Sequence, residues 1–172
     1  EWQKNKPHIK YILSDDIKHR NGLEDIISLS SYKEIEFDNL IVKTFGSTDL
    51  GLSFLLKVEG LTIFHAGDLN WWHWWDDTPE NNKIMEKDFK SEVQKLKGGK
   101  IDIALFPVDP RLREAYSYGG EYFIKEIVPN IFIPMHFGEN YGIIKQFANQ
   151  MKSYSTKIIT VKHKKQEIFI DL

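Results

Sequence analysis

The stretch FHAGDLNWWHWWDD, Phe64 to Asp77, puts His65, Asp68 and His73 within nine positions and surrounds them with four of the chain's five tryptophans. Imidazole and carboxylate side chains at such spacing suit two kinds of chemistry, holding a divalent cation or moving a proton. Further along, PMHFG presents His136 between a proline and a glycine, and VDPRLRE offers Asp109 beside Arg111 and Arg113. A fixed guanidinium at Arg111 would suit a carboxylate or phosphate on a substrate, or simply pair with Asp109. Trp71, Trp72, Trp74 and Trp75 have two readings, as walls of a pocket with His73 at its edge or as aromatic anchors of a loop on the core. His65 reads either as a partner that orients a ligand or as a hydrogen-bonded histidine at a strand end.

The elements that must present these groups are legible from apolar pattern and turn residues. Leu61–Ala66 is an apolar run that enters Gly67-Asp68 directly, and it joins Leu52–Val58 through a hairpin at Glu59-Gly60. Ile101–Phe106 breaks at Pro107 just before Asp109, and Ile131–Ile133 closes at Pro134 just before His136. Three polar residues thus follow three strands, where sheet-based sites are commonly built. Earlier strands are expected at Ile9–Leu13, Lys33–Phe37 and Leu40–Phe45, and later ones at Lys157–Val161 and Glu167–Ile170. Lys162 to Lys165 should turn between the last two. Thr78-Pro79 opens a helix carrying Met85, Phe89, Val93 and Leu96, Tyr122–Val128 forms a second, and Ile143, Phe147 and Met151 mark a third. Gly119-Gly120, beside Tyr116 and Tyr118, read as a flexible loop. A β-rich first part followed by alternating strands and helices predicts a single layered α/β domain over 1–172.

The segments LTIFHAGDLN and FIPMHFG, with IDIALFPVDP between them, resemble the metallo-β-lactamase fold family. The likeness runs from about Lys10 to the end of the chain, with its specificity in the two short motifs. It implies a layered αββα sandwich, in which Asp68 bridges two metal ions and His136 holds one. It also implies a divalent cofactor, zinc with manganese or iron as alternatives, and two ions in a complete site. The chemistry implied is attack by a metal-bound hydroxide on an ester, lactone, amide or phosphoester. Two departures stand out. The family's His-x-His-x-Asp-His run is absent, His8 and His19 being isolated, so the fold is expected to be N-terminally incomplete here. In GSTDLGLSFLL, Ser47 stands where many members carry a metal-binding histidine. Asp49 is a hard oxygen donor that would substitute, or the segment is a hydrogen-bonded turn.

Composition narrows the functional classes. The chain has 172 residues, 41% of them hydrophobic, and a formal charge of -2 with both signs interspersed. It can bury a core, and no basic stripe suggests nucleic acid. With no cysteine, cysteine-zinc sites, disulfides and a thiol nucleophile are excluded, which fits a cytoplasmic setting. No apolar run is long enough to span a membrane. The expected partner is a small-molecule substrate, with self-association left open. The alternative is a non-catalytic binding or structural protein that retains the fold around a crippled metal site.

Overall fold

A computed structural model describes residues 6, 9–17 and 26–170. His8 and His19 lie outside this set. Two short strands, β1 (Tyr11–Ser14) and β2 (Ile26–Leu29), pair in parallel. The remaining seven form one sheet in sequential order: β3 (Glu34–Phe37), β4 (Leu40–Phe45), β5 (Ser53–Val58), β6 (Leu61–His65), β7 (Ile103–Pro107), β8 (Ile131–Met135) and β9 (Lys157–Ile158). β3 to β6 are an antiparallel meander, whereas β6 to β9 run parallel. The change follows from connection length. Glu59 and Gly60 adopt positive φ (51° and 80°) in the two-residue turn between β5 and β6, as the hairpin signal requires. Each parallel step instead needs a crossover, and helices α1 (Pro79–Gln94), α2 (Tyr118–Ile127) and α3 (Tyr141–Gln150) supply them.

All three helices pack on one face of the sheet. Phe89 and Val93 of α1, Phe123 and Ile124 of α2 and Phe147 of α3 meet Phe64, Ala104, Phe106 and Phe132 in one buried cluster. The sheet members are alternate residues of β6, β7 and β8, as a pleated strand dictates. Ile63, Leu105 and Ile133 point to the other face and are half-buried. At the strand starts, the buried Asp102 accepts from the Thr62 amide (2.9 Å) and Asn130 Nδ2 (3.0 Å) and pairs with Lys100 (2.6 Å), which pins three neighbouring strands together.

Four expectations need correction, and one strand is additional. α2 begins at Tyr118, so Gly119-Gly120 lie inside a helix and not in a flexible loop. A Cβ on Gly119 would stand 1.9 Å from Asn70 Oδ1, so close packing explains the glycine. The strand at Lys157–Val161 shortens to Lys157–Ile158, and residues 167–170 form none. Ile159 still donates to Phe132 O (2.9 Å), but the next ladder donor would be residue 134, a proline without an N–H. The basic run is a turn at 163–165, as expected, but not one between strands. Finally, β2 at Ile26–Leu29 was not foreseen; it forms by parallel pairing with β1. Among the described residues no helix is long and apolar enough to cross a membrane.

Candidate functional site

The exits of β6, β7 and β8 bring Asp68, Asp109 and His136 together. Gly67 turns the chain after β6 with φ 57°, and a Cβ there would meet Leu52 O at 2.5 Å. Only glycine fits that turn, and it sends Asp68 outward. His136 follows β8 with φ 66°, an uncommon backbone for a residue with a side chain. His136 Nε2 lies 2.9 Å from Asp68 Oδ1, and Nδ1 lies 3.7 Å from Asp109 Oδ2. The ring therefore sits between two carboxylates of different character. The Asp68 side chain is 44% exposed and that of Asp109 is 1% exposed.

Asp109 is held from its other side by Arg111. The Arg111 amide and Nε each donate to Oδ1 at 2.9 Å, and Nε also reaches Oδ2 at 2.9 Å. Burial pushes the Asp109 carboxyl up, but the Arg111 hydrogen bonds and charge, with His136 contributing, bring it below the ordinary range. Arg111 is raised in turn, chiefly by Asp109, and the fields of Asp68 and Asp49 add to this. Its guanidinium lies over Trp74, 5.7 Å from the ring centre.

The tryptophans divide between two sides. Trp71 packs into the main core against Phe89 (6.2 Å), Tyr118 (5.4 Å) and Tyr122 (6.4 Å), with Lys90 over its face. Trp72 faces the site, its ring centre 5.8 Å from that of His136 and its Nε1 donating to Asp68 O at 2.9 Å. Trp72 stacks on Trp74 at 5.9 Å and 7°, and with Leu112 and Ala115 forms a second small core. Trp75 is exposed and carries Arg113 on its face at 3.4 Å. His73 lies against Tyr118 at 5.6 Å.

His65 is at the end of β6, where its Nδ1 accepts from the Gly67 amide at 3.0 Å. Partial burial of the ring and the charge of His136 lower its pKa, and Asp68 opposes this. Ser47 and Asp49 sit in a turn: Asp49 N donates to Ser47 Oγ (3.3 Å) and Leu50 N to Asp49 Oδ1 (2.8 Å). Between them Thr48 makes a reciprocal latch, donating to Asn70 O (2.6 Å) and accepting from Asn70 N (3.0 Å). This latch ties the turn to the loop behind Asp68, and no sequence signal singles out Asn70. Its side-chain oxygen and nitrogen are buried, without partners among the described residues.

Among the described residues, no three or more His, Cys, Asp or Glu side chains are grouped to hold a metal ion. The Asp68–His136 pair nonetheless has the donor chemistry of a divalent site, an imidazole nitrogen facing a solvent-reached carboxylate with a second carboxylate behind the ring. It fits as two ligands of a cation.

No protein-family profile matches the chain. It is 26% identical over 108 residues to a UPF0173 metal-dependent hydrolase of Heliobacterium modesticaldum, a match covering 61% of this chain and 38% of that protein. Among solved structures it resembles a protein of Parabacteroides distasonis described as a metal-dependent hydrolase, with TM-score 0.59, 16% identity, and coverage of 87% of this chain and 63% of that one. It also resembles the metallo-β-lactamase fold protein YhfI of Bacillus subtilis, with TM-score 0.50, 10% identity, and coverage of 77% and 51%. The chain thus spans about two fifths of the curated relative and under two thirds of these solved chains.

Proposed function

We propose that this chain, which has the metallo-β-lactamase fold, belongs to a metal-dependent hydrolase and contributes Asp68 and His136 as cation ligands. The observation that carries the proposal is the 2.9 Å approach of His136 Nε2 to Asp68 Oδ1 at the exits of two parallel strands. Similarity to a metal-dependent hydrolase across 61% of the chain supports it. A bound cation supplies hydroxide near neutral pH and polarises the bond under attack. Imidazole with carboxylate suits zinc, and iron or manganese can also use it. Asp68 offers its oxygens to solvent and so to a cation, while the His136 ring is confined by Trp72 on one flank and Asp109 behind. Trp72 and Trp74 form an apolar wall beside the pair, which excludes water from one side of the reacting group. The substrate class we assign is an ester, lactone, amide or phosphoester.

The test is hydrolysis of a panel of those four substrate types by the protein loaded with Zn²⁺ or Mn²⁺, before and after chelation. Activity should vanish with the chelator, and Asp68→Ala or His136→Ala should each cost roughly 100-fold or more, several kcal/mol of barrier. The two donors found among the described residues fall short of the three protein ligands usual for catalytic zinc. This favours, as second reading, a non-catalytic protein that keeps the fold. Absence of hydrolysis across the panel would select it, and hydrolysis that survives chelation would overturn the metal-dependent reading.

A further inference from the structure

We infer that Asp109 is a positioning residue for His136. Its buried carboxylate, fixed by Arg111, stands behind the imidazole and turns Nε2 toward the cation site at Asp68. The inference rests on the reading of His136 as a cation ligand and adds a role that the ligand pair alone does not require.

A carboxylate with 1% exposure is costly unless it is paired and hydrogen-bonded. Arg111 provides that pairing through its amide and guanidinium. The backbone amide bond goes to Oδ1, which caps the turn at Pro110–Ala115. Oδ2 is the oxygen that faces His136 Nδ1, at 3.7 Å. That is beyond hydrogen-bond length, and a shift under an ångström closes it. Five side chains, the His136 ring among them, form a closed circuit: His136 beside Asp109, Asp109 on Arg111, Arg111 over Trp74, Trp74 on Trp72, and Trp72 against His136. The circuit holds His136 in a backbone conformation that side-chain-bearing residues seldom adopt. A carboxylate facing Nδ1 keeps the ring proton there and leaves the Nε2 lone pair for the cation.

The decisive experiment measures Zn²⁺ affinity by competition with a chromophoric chelator for wild type, His136→Ala and Asp109→Asn. The asparagine keeps the shape and the capping oxygen and removes the charge. A long-range ¹H–¹⁵N spectrum of the Zn²⁺-loaded wild type reports which ring nitrogen of His136 carries the proton. We expect Asp109→Asn to weaken Zn²⁺ binding by about 10–100-fold, and the wild-type ring to show a proton on Nδ1. If His136→Ala loses affinity while Asp109→Asn matches wild type, the positioning role is overturned and the ligand reading stands. If wild type does not bind Zn²⁺, or His136→Ala binds as well as wild type, both fall. Should Asp109→Asn fail to fold, the wild-type spectrum decides, and a proton on Nε2 overturns the inference.

Discussion

At the scale of single residues, the motif readings rested on what each strand exit presents, and the structure gathers Asp68, Asp109 and His136 at neighbouring exits. Burial was not legible in the same way. Asp68 and Asp109 look alike as aspartates after strands, yet one meets solvent and the other is enclosed with Arg111. Adjacent tryptophans likewise separate, Trp71 into the core and Trp72 toward His136, because neighbouring positions of an extended loop face opposite sides. Gly67 is a residue whose role is purely steric. Replacing it with alanine imposes a left-handed backbone and a 2.5 Å contact with Leu52 O. We expect a loss of roughly 2–4 kcal/mol in chemical denaturation. Asp102 acts through charge. The Lys100 ion pair, the Thr62 amide and Asn130 hold its carboxyl below the ordinary value, with burial opposing. A depressed folded pKa gives stability that is present above the unfolded value near pH 4 and lost as pH falls through the folded one. Asp102→Ala should therefore cost roughly 1–3 kcal/mol at pH 7. The gap to wild type should close below about pH 4, which denaturation across that range measures.

At the scale of elements, segments with a clear apolar pattern or a cap are readable, down to the four residues of β3, and those that depend on distant pairing are not. α1 starts at Pro79 because Thr78 accepts from the Asn81 amide at 3.1 Å, a cap visible in the sequence. Thr78→Ala should lower stability by about 1 kcal/mol, detectable as a small fall in Tm. Phe106 in β7 is the larger support, packed on Phe89 of α1, Phe123 of α2 and Phe132 of β8. Phe106→Ala should cost roughly 3–5 kcal/mol, and a loss under 1 kcal/mol in a denaturant titration would contradict this packing account. Two of the misjudged elements share one cause, pairing with distant chain. β2 exists because β1 lies alongside it, and β9 stops because Pro134 withholds a donor. Neither partner is local in sequence, so propensity along the chain carried no sign of them.

At the scale of the whole molecule, a local meander joins a set of parallel strands through β6, which belongs to both. The succession of element types is legible in the sequence, a β-rich part followed by alternating strands and helices; the register is not, since it depends on which faces bury. Hydrogen exchange should follow this architecture, slowest in β6, β7 and β8 around the phenylalanine cluster and fastest beyond Ile159, where the ladder ends. Equal protection of residues 161–170 and β7 would refute that ordering. The placement of Trp72 has a consequence of an optical kind. Its indole is hydrogen-bonded to the backbone of Asp68 and lies against the ring of His136. A paramagnetic ion such as Co²⁺ or Cu²⁺ held there would shorten the excited-state lifetime of that indole, whereas closed-shell Zn²⁺ would leave it long. If the proposed cation binds, this emission would gauge its occupancy without a label, and Trp72→Phe would diminish the response.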